Sequence, residues 1–245
     1  MERDEFLARE RFANPALPNV LRLYTWQPFA VSIGFQQKME SVDLEACRRA
    51  GVDVVRRPTG GRAVLHANEL TYGVILRAEP GQGIYAVHNL IVEALLASLE
   101  GLGSEFEQME ITGRTTAKPF GEIYGAGSLT NEACFASSAR HEVTYEGRKV
   151  IGSAQRRFGD VVLQHGSILL KNDHLRLAEF LSLPKESRER MRKLLVRETA
   201  TLSDVFGRSI GAEEAAESIR ERFVTNFNEQ QCQQKIEAHP LKLSV

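Results

Sequence analysis

The spacing of hydrophobic positions changes character along the chain. Leu21 and Leu23 alternate with polar neighbours, and a second apolar run, Phe29-Ala30-Val31-Ser32-Ile33, ends at Gly34. Trp26-Gln27-Pro28 lies between them, so this region predicts two short strands broken at a proline. Ser41 is placed to cap a short helix through Leu44 and Cys47 that stops at Gly51. Residues 52–55 and 71–76 read as further strands, divided at 56–62 by a turn that no helix could cross. From 84 to 99 the period lengthens: Ile84, Val87, Ile91, Leu95 and Leu99 recur every three or four positions, as in a helix packed on a sheet, and Gly101 and Gly103 end it.

Residues 102–130 read as loop. Residues 142–145 and 148–151, joined by Glu146-Gly147, predict a hairpin, and 160–163 with 167–170 predict a strand or strand pair around Gln164-His165-Gly166. Beyond Lys171 the segments 174–183, 187–205 and 212–227 are amphipathic and charge-rich, so the last third is mainly helical. The polar tail Gln230-Gln231-Cys232-Gln233-Gln234 predicts a frayed end. Strands with interleaved helices, followed by helices alone, define an α+β fold whose mixed or antiparallel β-sheet is covered on one side.

Composition narrows the function classes. The 245 residues carry 31 Lys+Arg against 32 Asp+Glu, a net charge of −1, which argues against a nucleic-acid partner held by a basic surface and against an acidic disordered chain. Three widely spaced cysteines, Cys47, Cys134 and Cys232, support neither a disulfide framework nor a CxxC metal site, and fit a reducing, cytoplasmic compartment. The opening MERDEFLARERF is charged where a signal peptide needs an apolar core, and no run reaches the ~20 apolar residues of a membrane span. No metal constellation is expected, since the six histidines are dispersed and no H-x-x-x-H occurs.

Four segments carry candidate chemistry. In Arg57-Pro58-Thr59-Gly60-Gly61-Arg62-Ala63-Val64-Leu65-His66, adjacent glycines let backbone approach a ligand, and two arginines, a threonine and a histidine exceed what a tight turn requires. No Gly-Lys-Ser/Thr follows, so this is not a Walker loop. Cys134 sits in a predicted loop between Asn131 and Ser137-Ser138, unlike Cys47 on the apolar side of a helix and Cys232 in the tail. A thiol useful near neutral pH must have its pKa lowered, by two units for about 2.7 kcal/mol. Lys149 follows the hairpin turn, and Gly152-Ser153-Ala154 beyond it are small enough for a substrate to lie against; taken alone, a lysine so placed is more often an exposed edge-strand lysine. In the last segment, Gln164-His165-Gly166-Ser167, a histidine stands beside a glycine.

The order and wording of these segments resemble the biotin/lipoate protein ligase superfamily. RRPTGGRAVLH followed by ELTY is similar to its acyl-binding loop, GRKVIGSAQ to the segment bearing its lysine, and LQHGSILL to the strand after it. The resemblance runs from about Val20 to Leu170, with a weaker echo in the helices. It implies a catalytic body over 1–170 of the biotin/lipoate ligase type, with 171–245 as a helical C-terminal extension packed on it. Three chemistries compete within the superfamily. They are ATP-dependent lipoate ligation, cysteine-dependent octanoyl transfer from an acyl-carrier protein, and amidotransfer of octanoyl between lipoyl domains; a non-catalytic acyl-binding or lipoyl-domain-binding protein is a fourth reading. Ala133-Cys134-Phe135, with Arg62 and Gln155, is similar to the cysteine-dependent octanoyltransferase branch.

That branch implies Cys134 as nucleophile and Lys149 as the cation that assists it. Arg57, Thr59, Gly60, Gly61, Arg62, His66, Gly152, Ser153, Ala154, His165 and Gly166 would form the substrate site. It also implies an octanoyl-acyl-carrier protein donor, a lipoyl-domain acceptor such as glycine cleavage H protein or 2-oxoacid dehydrogenase E2, and no required cofactor; ATP and Mg belong only to the ligase chemistry. The chain departs from the family at Ala67, where an Asp commonly follows the histidine, at Gly73, where serine is common, and at 138–142. Ala67 puts in doubt an acid partner for His66.

Overall fold

The computed structural model describes residues 1–111, 142–230 and 236–238, with side chains given through residue 228. Elements occur in the order α1 (Glu2–Ala13), β1 (Asn19–Tyr24), β2 (Ala30–Ile33), α2 (Leu44–Arg49), β3 (Asp53–Arg56), β4 (Val64–His66), β5 (Glu69–Arg77), α3 (Ile84–Ser98), β6 (Met109–Ile111), β7 (Val143–Tyr145), β8 (Arg148–Phe158), β9 (Val161–Leu169), α4 (Lys185–Glu198), α5 (Leu202–Val205), α6 (Ala212–Gln230) and β10 (Ile236–Ala238).

A seven-stranded sheet runs in the order β10-β1-β5-β9-β8-β7-β6, antiparallel except for the β1–β10 pair, and a three-stranded sheet runs β3-β2-β4. The α+β class expected from the sequence is therefore the observed one, with two differences. The large sheet is covered on both faces: α3 and α6 pack on one side, where Leu70, Tyr72, Val74, Ile91, Leu95 and Phe223 share a core, while Ala8 of α1 packs on the other with Ile75, Val161 and Leu163. The tail also contributes a strand, β10, parallel to β1, while residues 231–234 of the stretch expected to fray lie outside the described residues. Double coverage explains why β5 is buried along nearly its whole length and shows little alternation in sequence.

Local signals fix several boundaries. The Glu146-Gly147 turn has both residues at positive φ (51° and 74°), the two-residue turn whose twist suits a hairpin. The short helix α2 is capped by Asp43, whose Oδ1 accepts from Ala46 N at 2.9 Å, not by Ser41, which binds Lys38 O one turn earlier. Residues 160–170 hold one continuous strand, β9, where a pair was an alternative, and Asn172–Phe180 is 3₁₀. The predicted helix over 187–205 divides into α4 and α5, with Thr201 forming a capping box with Asp204. Ile84–Leu102 is long and apolar enough by composition to cross a bilayer. Val87, Ile91, Leu95 and Leu99 instead lie in the main core.

Asn172–Phe180 and α4 pack against the small sheet and β8, whereas α6 lies on the large sheet. Phe180, Leu181, Met191 and Leu195 share a core with Ile33, Leu65 and Cys47. Ala200 N donates to Lys149 O at 3.0 Å, and Thr199 bridges Lys149 in parallel.

Candidate active site

The loop between β3 and β4 is held by its own second arginine. Arg57 is 4% exposed, and its guanidinium donates to Ser32 O and Oγ (both 3.1 Å), Gly60 O (3.1 Å) and Arg62 O (2.5 Å). One planar cation with fixed donor directions thus clamps both sides of the Gly60-Gly61 turn. Backbone bonds from Phe35 N to Thr59 O (2.9 Å) and Arg57 N to Ile33 O (3.0 Å) tie the loop to the end of β2. A Cβ at Gly34 would overlap Gly61 O, so glycine there is what lets the loop close down on β2.

Thr59 is buried and meets His165 Nε2 at 2.6 Å across the sheet. His165 Nδ1 faces Asp4 Oδ2 at 3.8 Å, and that carboxylate also binds Arg22 and accepts from Tyr24 Oη at 2.7 Å. Burial alone would raise the Asp4 carboxyl, but His165 and Arg22 together outweigh it and hold it at about 2. Burial is also the main influence on His165, keeping the imidazole pKa below its ordinary value despite Asp4. The loop is thereby referenced, through a neutral histidine, to a carboxylate on α1.

A small open cavity of about 30 Å³ lies beside this loop. Of the residues singled out by sequence, Arg57, His66, Lys149, Gly152, Ser153, Ala154, His165 and Gly166 line it. Thr59, Gly60, Gly61 and Arg62 belong to the adjoining loop and are not in its lining, although Thr59 reaches it through His165. Cys134 and Cys232 lie outside the described residues. Cys47 is buried as expected, with burial pushing its thiol up.

Lys149 is not an exposed edge lysine. It is 4% exposed and forms an ion pair with Glu142, itself 8% exposed, at 2.6 Å. Glu142 precedes β7 by one residue, and Thr144 pairs with Lys149 across the hairpin, so the hairpin brings acid and base together. The strand also fixes the lysine through its carbonyl, which accepts from Ala200 N.

His66 does have an acid, supplied three residues on rather than by residue 67. Its Nδ1 meets Glu69 Oε1 at 2.6 Å, and its Nε2 meets Ser32 Oγ at 2.7 Å. Ser32, Glu69, Glu142 and Asp4 were not singled out by sequence. Glu69 alone carried a signal, because a strand starting just after His66 returns its first side chain to that ring.

A further hydrogen-bonded row runs beneath the cavity. Gln155 Nε2 donates to Gln164 Oε1 (2.7 Å), Gln164 Nε2 donates to Tyr72 Oη (3.0 Å), and Tyr72 Oη meets Ser153 Oγ at 2.6 Å. Burial pushes the Tyr72 phenol up to about 12, so it acts as a neutral hydrogen-bonding group.

A two-sheet α+β body, a clamped Gly-Gly loop and a buried lysine at the head of a hairpin define the class. The chain matches the lipoyl protein ligase A/B catalytic domain over residues 1–224, and it belongs to that family. It is 40% identical over 233 residues to the octanoyltransferase LipM of Carboxydothermus hydrogenoformans, covering 92% of this chain and 79% of that protein. The octanoyltransferase LipM of Kyrpidia tusciae is 39% identical (84% and 75% covered), and that of Bacillus subtilis 34% (86% and 76%). Among solved structures, the bipartite lipoate protein ligase of Thermoplasma acidophilum aligns with a TM-score of 0.67 at 21% identity over 97% of this chain and 82% of its own. A lipoate-protein ligase A bound with ATP aligns at 0.64 and 22%, with the same coverage. These structural likenesses bear on the fold.

Proposed function

We propose that the chain is an octanoyltransferase of lipoate biosynthesis, moving octanoyl from a carrier-protein thioester to a lysine of a lipoyl-domain protein in the cytoplasm. The observation that carries this reading is the 32–40% identity over most of the chain to proteins named octanoyltransferase. In this reading residues 1–170 are the catalytic body and 171–245 an extension that supports it.

Transfer occurs in two steps. The Cys134 thiolate attacks the octanoyl thioester to give an octanoyl-enzyme, and the acceptor ε-amine then attacks that thioester to form an amide. Lys149 stabilises the thiolate and the developing oxyanion. The donor is already activated as a thioester, so neither step calls on ATP. Octanoyl has seven carbons beyond its carbonyl, and at ~0.8 kcal/mol per methylene their burial supplies about 5 kcal/mol.

Support for this reading comes from the cavity beside Lys149 and from Ala133-Cys134-Phe135, which resembles the branch's nucleophile loop. The test is intact mass after mixing with octanoyl-acyl-carrier protein. Wild type gains one octanoyl group and Cys134→Ala gains none. Equal gain by Cys134→Ala, or ATP-dependent lipoylation from free lipoate that survives this substitution, overturns the two-step reading.

A further inference from the structure

A chain of buried hydrogen bonds on the small-sheet side of the cavity is not used by the thioester chemistry. Glu69 Oε1 meets His66 Nδ1 at 2.6 Å and accepts from Thr71 Oγ1 at 2.7 Å and Ser167 Oγ at 3.0 Å. An ionised carboxylate only accepts, so the ring proton sits on Nδ1 and Nε2 presents its lone pair. That lone pair accepts from Ser32 Oγ at 2.7 Å, and Ser32 Oγ accepts in turn from Arg57 Nη1 at 3.1 Å. Trp26 stacks on the imidazole, with centroids 4.4 Å apart and planes at 16°, and its indole N–H donates to Thr71 Oγ1 at 2.8 Å. The ring is therefore fixed in position and tautomer. Ser32 and His66 line the cavity, with Glu69 behind them.

The second step of the transfer needs a base. A protein lysine is an ammonium at neutral pH and must lose a proton before its nitrogen can attack. Lys149 is itself paired with a carboxylate and suits the role of donor. We propose that His66, reached through the Ser32 hydroxyl and positioned by Glu69, is the general base that deprotonates the acceptor lysine. Ser32 Oγ takes a proton from the ε-ammonium while passing its own to His66 Nε2. The freed amine attacks the octanoyl thioester carbonyl, the C–N bond forms and the C–S bond breaks, and a second nitrogen proton leaves with the departing sulfur. The imidazolium formed lies against the Glu69 carboxylate, with the Arg57 cation beyond Ser32, and then returns its proton to water. The order of groups, carboxylate to imidazole to hydroxyl, is the one that gives a histidine a basic Nε2 in unrelated acyltransfer sites. Ser32 and His66 are the catalytic residues of this step, and Glu69 is a positioning residue.

This inference rests on the acyltransferase reading, and one experiment separates the two. The full chain is given an octanoyl thioester donor, with either a lipoyl-domain protein or hydroxylamine as acceptor; hydroxylamine is uncharged at neutral pH and needs no base. In Glu69→Gln the amide can donate to Nδ1 and move the ring proton to Nε2, which stops Nε2 from accepting. In Ser32→Ala the relay is cut while the His66–Glu69 pair remains. Each variant is expected to lower the ratio of lysine to hydroxylamine transfer on the order of 100-fold, within the range of general-base contributions. Structural damage lowers both transfers together, so an unchanged ratio in both variants overturns the proposal. A wild-type enzyme that octanoylates neither acceptor overturns the acyltransferase reading, and the base with it.

Discussion

Replacing Gly34 by alanine isolates the contribution of the Gly-Gly loop, because the three atoms nearest the added methyl are all backbone of that loop. Its Cβ would stand 2.8 Å from the Gly61 carbonyl carbon and 3.3 Å from that of Gly60, and would overlap the Gly61 oxygen. Ordinary carbon contacts begin at 3.4 Å, so the turn must retreat on the order of 1 Å. Arg57, bonded to Gly60 O, Arg62 O and Ser32 at once, cannot follow it without losing one of those bonds. A misplacement of about 1 Å costs on the order of 100-fold in rate when it disturbs reacting groups. Overpacking itself costs typically 1–3 kcal/mol of stability. Gly34→Ala is therefore expected to fold, with a lowered urea midpoint, and to octanoylate a lipoyl domain about 100-fold more slowly. The assay is single-turnover transfer from octanoyl-acyl-carrier protein at saturating enzyme. Wild-type turnover in a protein destabilised by the expected amount would refute the idea that loop position limits the reaction.

Lys149→Met should lose transfer activity and be destabilised by a few kcal/mol, because it removes the Lys149 cation from the buried Glu142 carboxylate. Lys149→Met with Glu142→Leu should recover most of that stability by urea unfolding and none of the activity; a single variant as stable as wild type contradicts this account. Acid should destabilise the fold. Asp4 is held below its ordinary range at about 2, so its contribution is present above about pH 4, amounts to roughly 2 kcal/mol, and is lost as pH falls towards 2. Burial keeps His165 and His174 below their ordinary values, so their contributions are present above the ordinary histidine range and are likewise lost on acidification. Asp4→Asn should flatten the decline of the unfolding midpoint between about pH 4 and 2, and an equally steep decline in that variant refutes the Asp4 assignment.

Contiguous segments were the most legible part of the sequence. The hairpin at 146–147, the helix from Ile84 and the loop around Gly60 each write their geometry into neighbouring residues, so period and turn chemistry find them. The polar partners of the site were hidden, because each comes from a remote strand or helix. Asp4 lies 161 positions from His165 and looks in sequence like one acid among several on a charged helix. Ser32 reads as the polar break in an apolar strand, and only the pairing of Ala30 with His66 shows that it approaches the imidazole. Glu142 reads as a departure from a family pattern until the hairpin places it on Lys149. Ser41 failed as the cap of α2 because Asp43, one residue from the helix, offers a better-placed carboxylate.

β9 has a consequence beyond pairing with its neighbours. His165 and Ser167, two residues apart, point to the same side of the sheet, one gripping Thr59 of the loop and the other Glu69 behind the imidazole. Their spacing is about 7 Å, a property of extended backbone rather than of any side chain. The strand therefore works as a ruler between the Gly-Gly loop and the imidazole, the two places where the proposed reaction would receive an acyl carbonyl and take away a proton. Cavity walls can vary to suit chains of different length without altering that interval, whereas a one-residue slip of β9 would send both anchors to the opposite face at once.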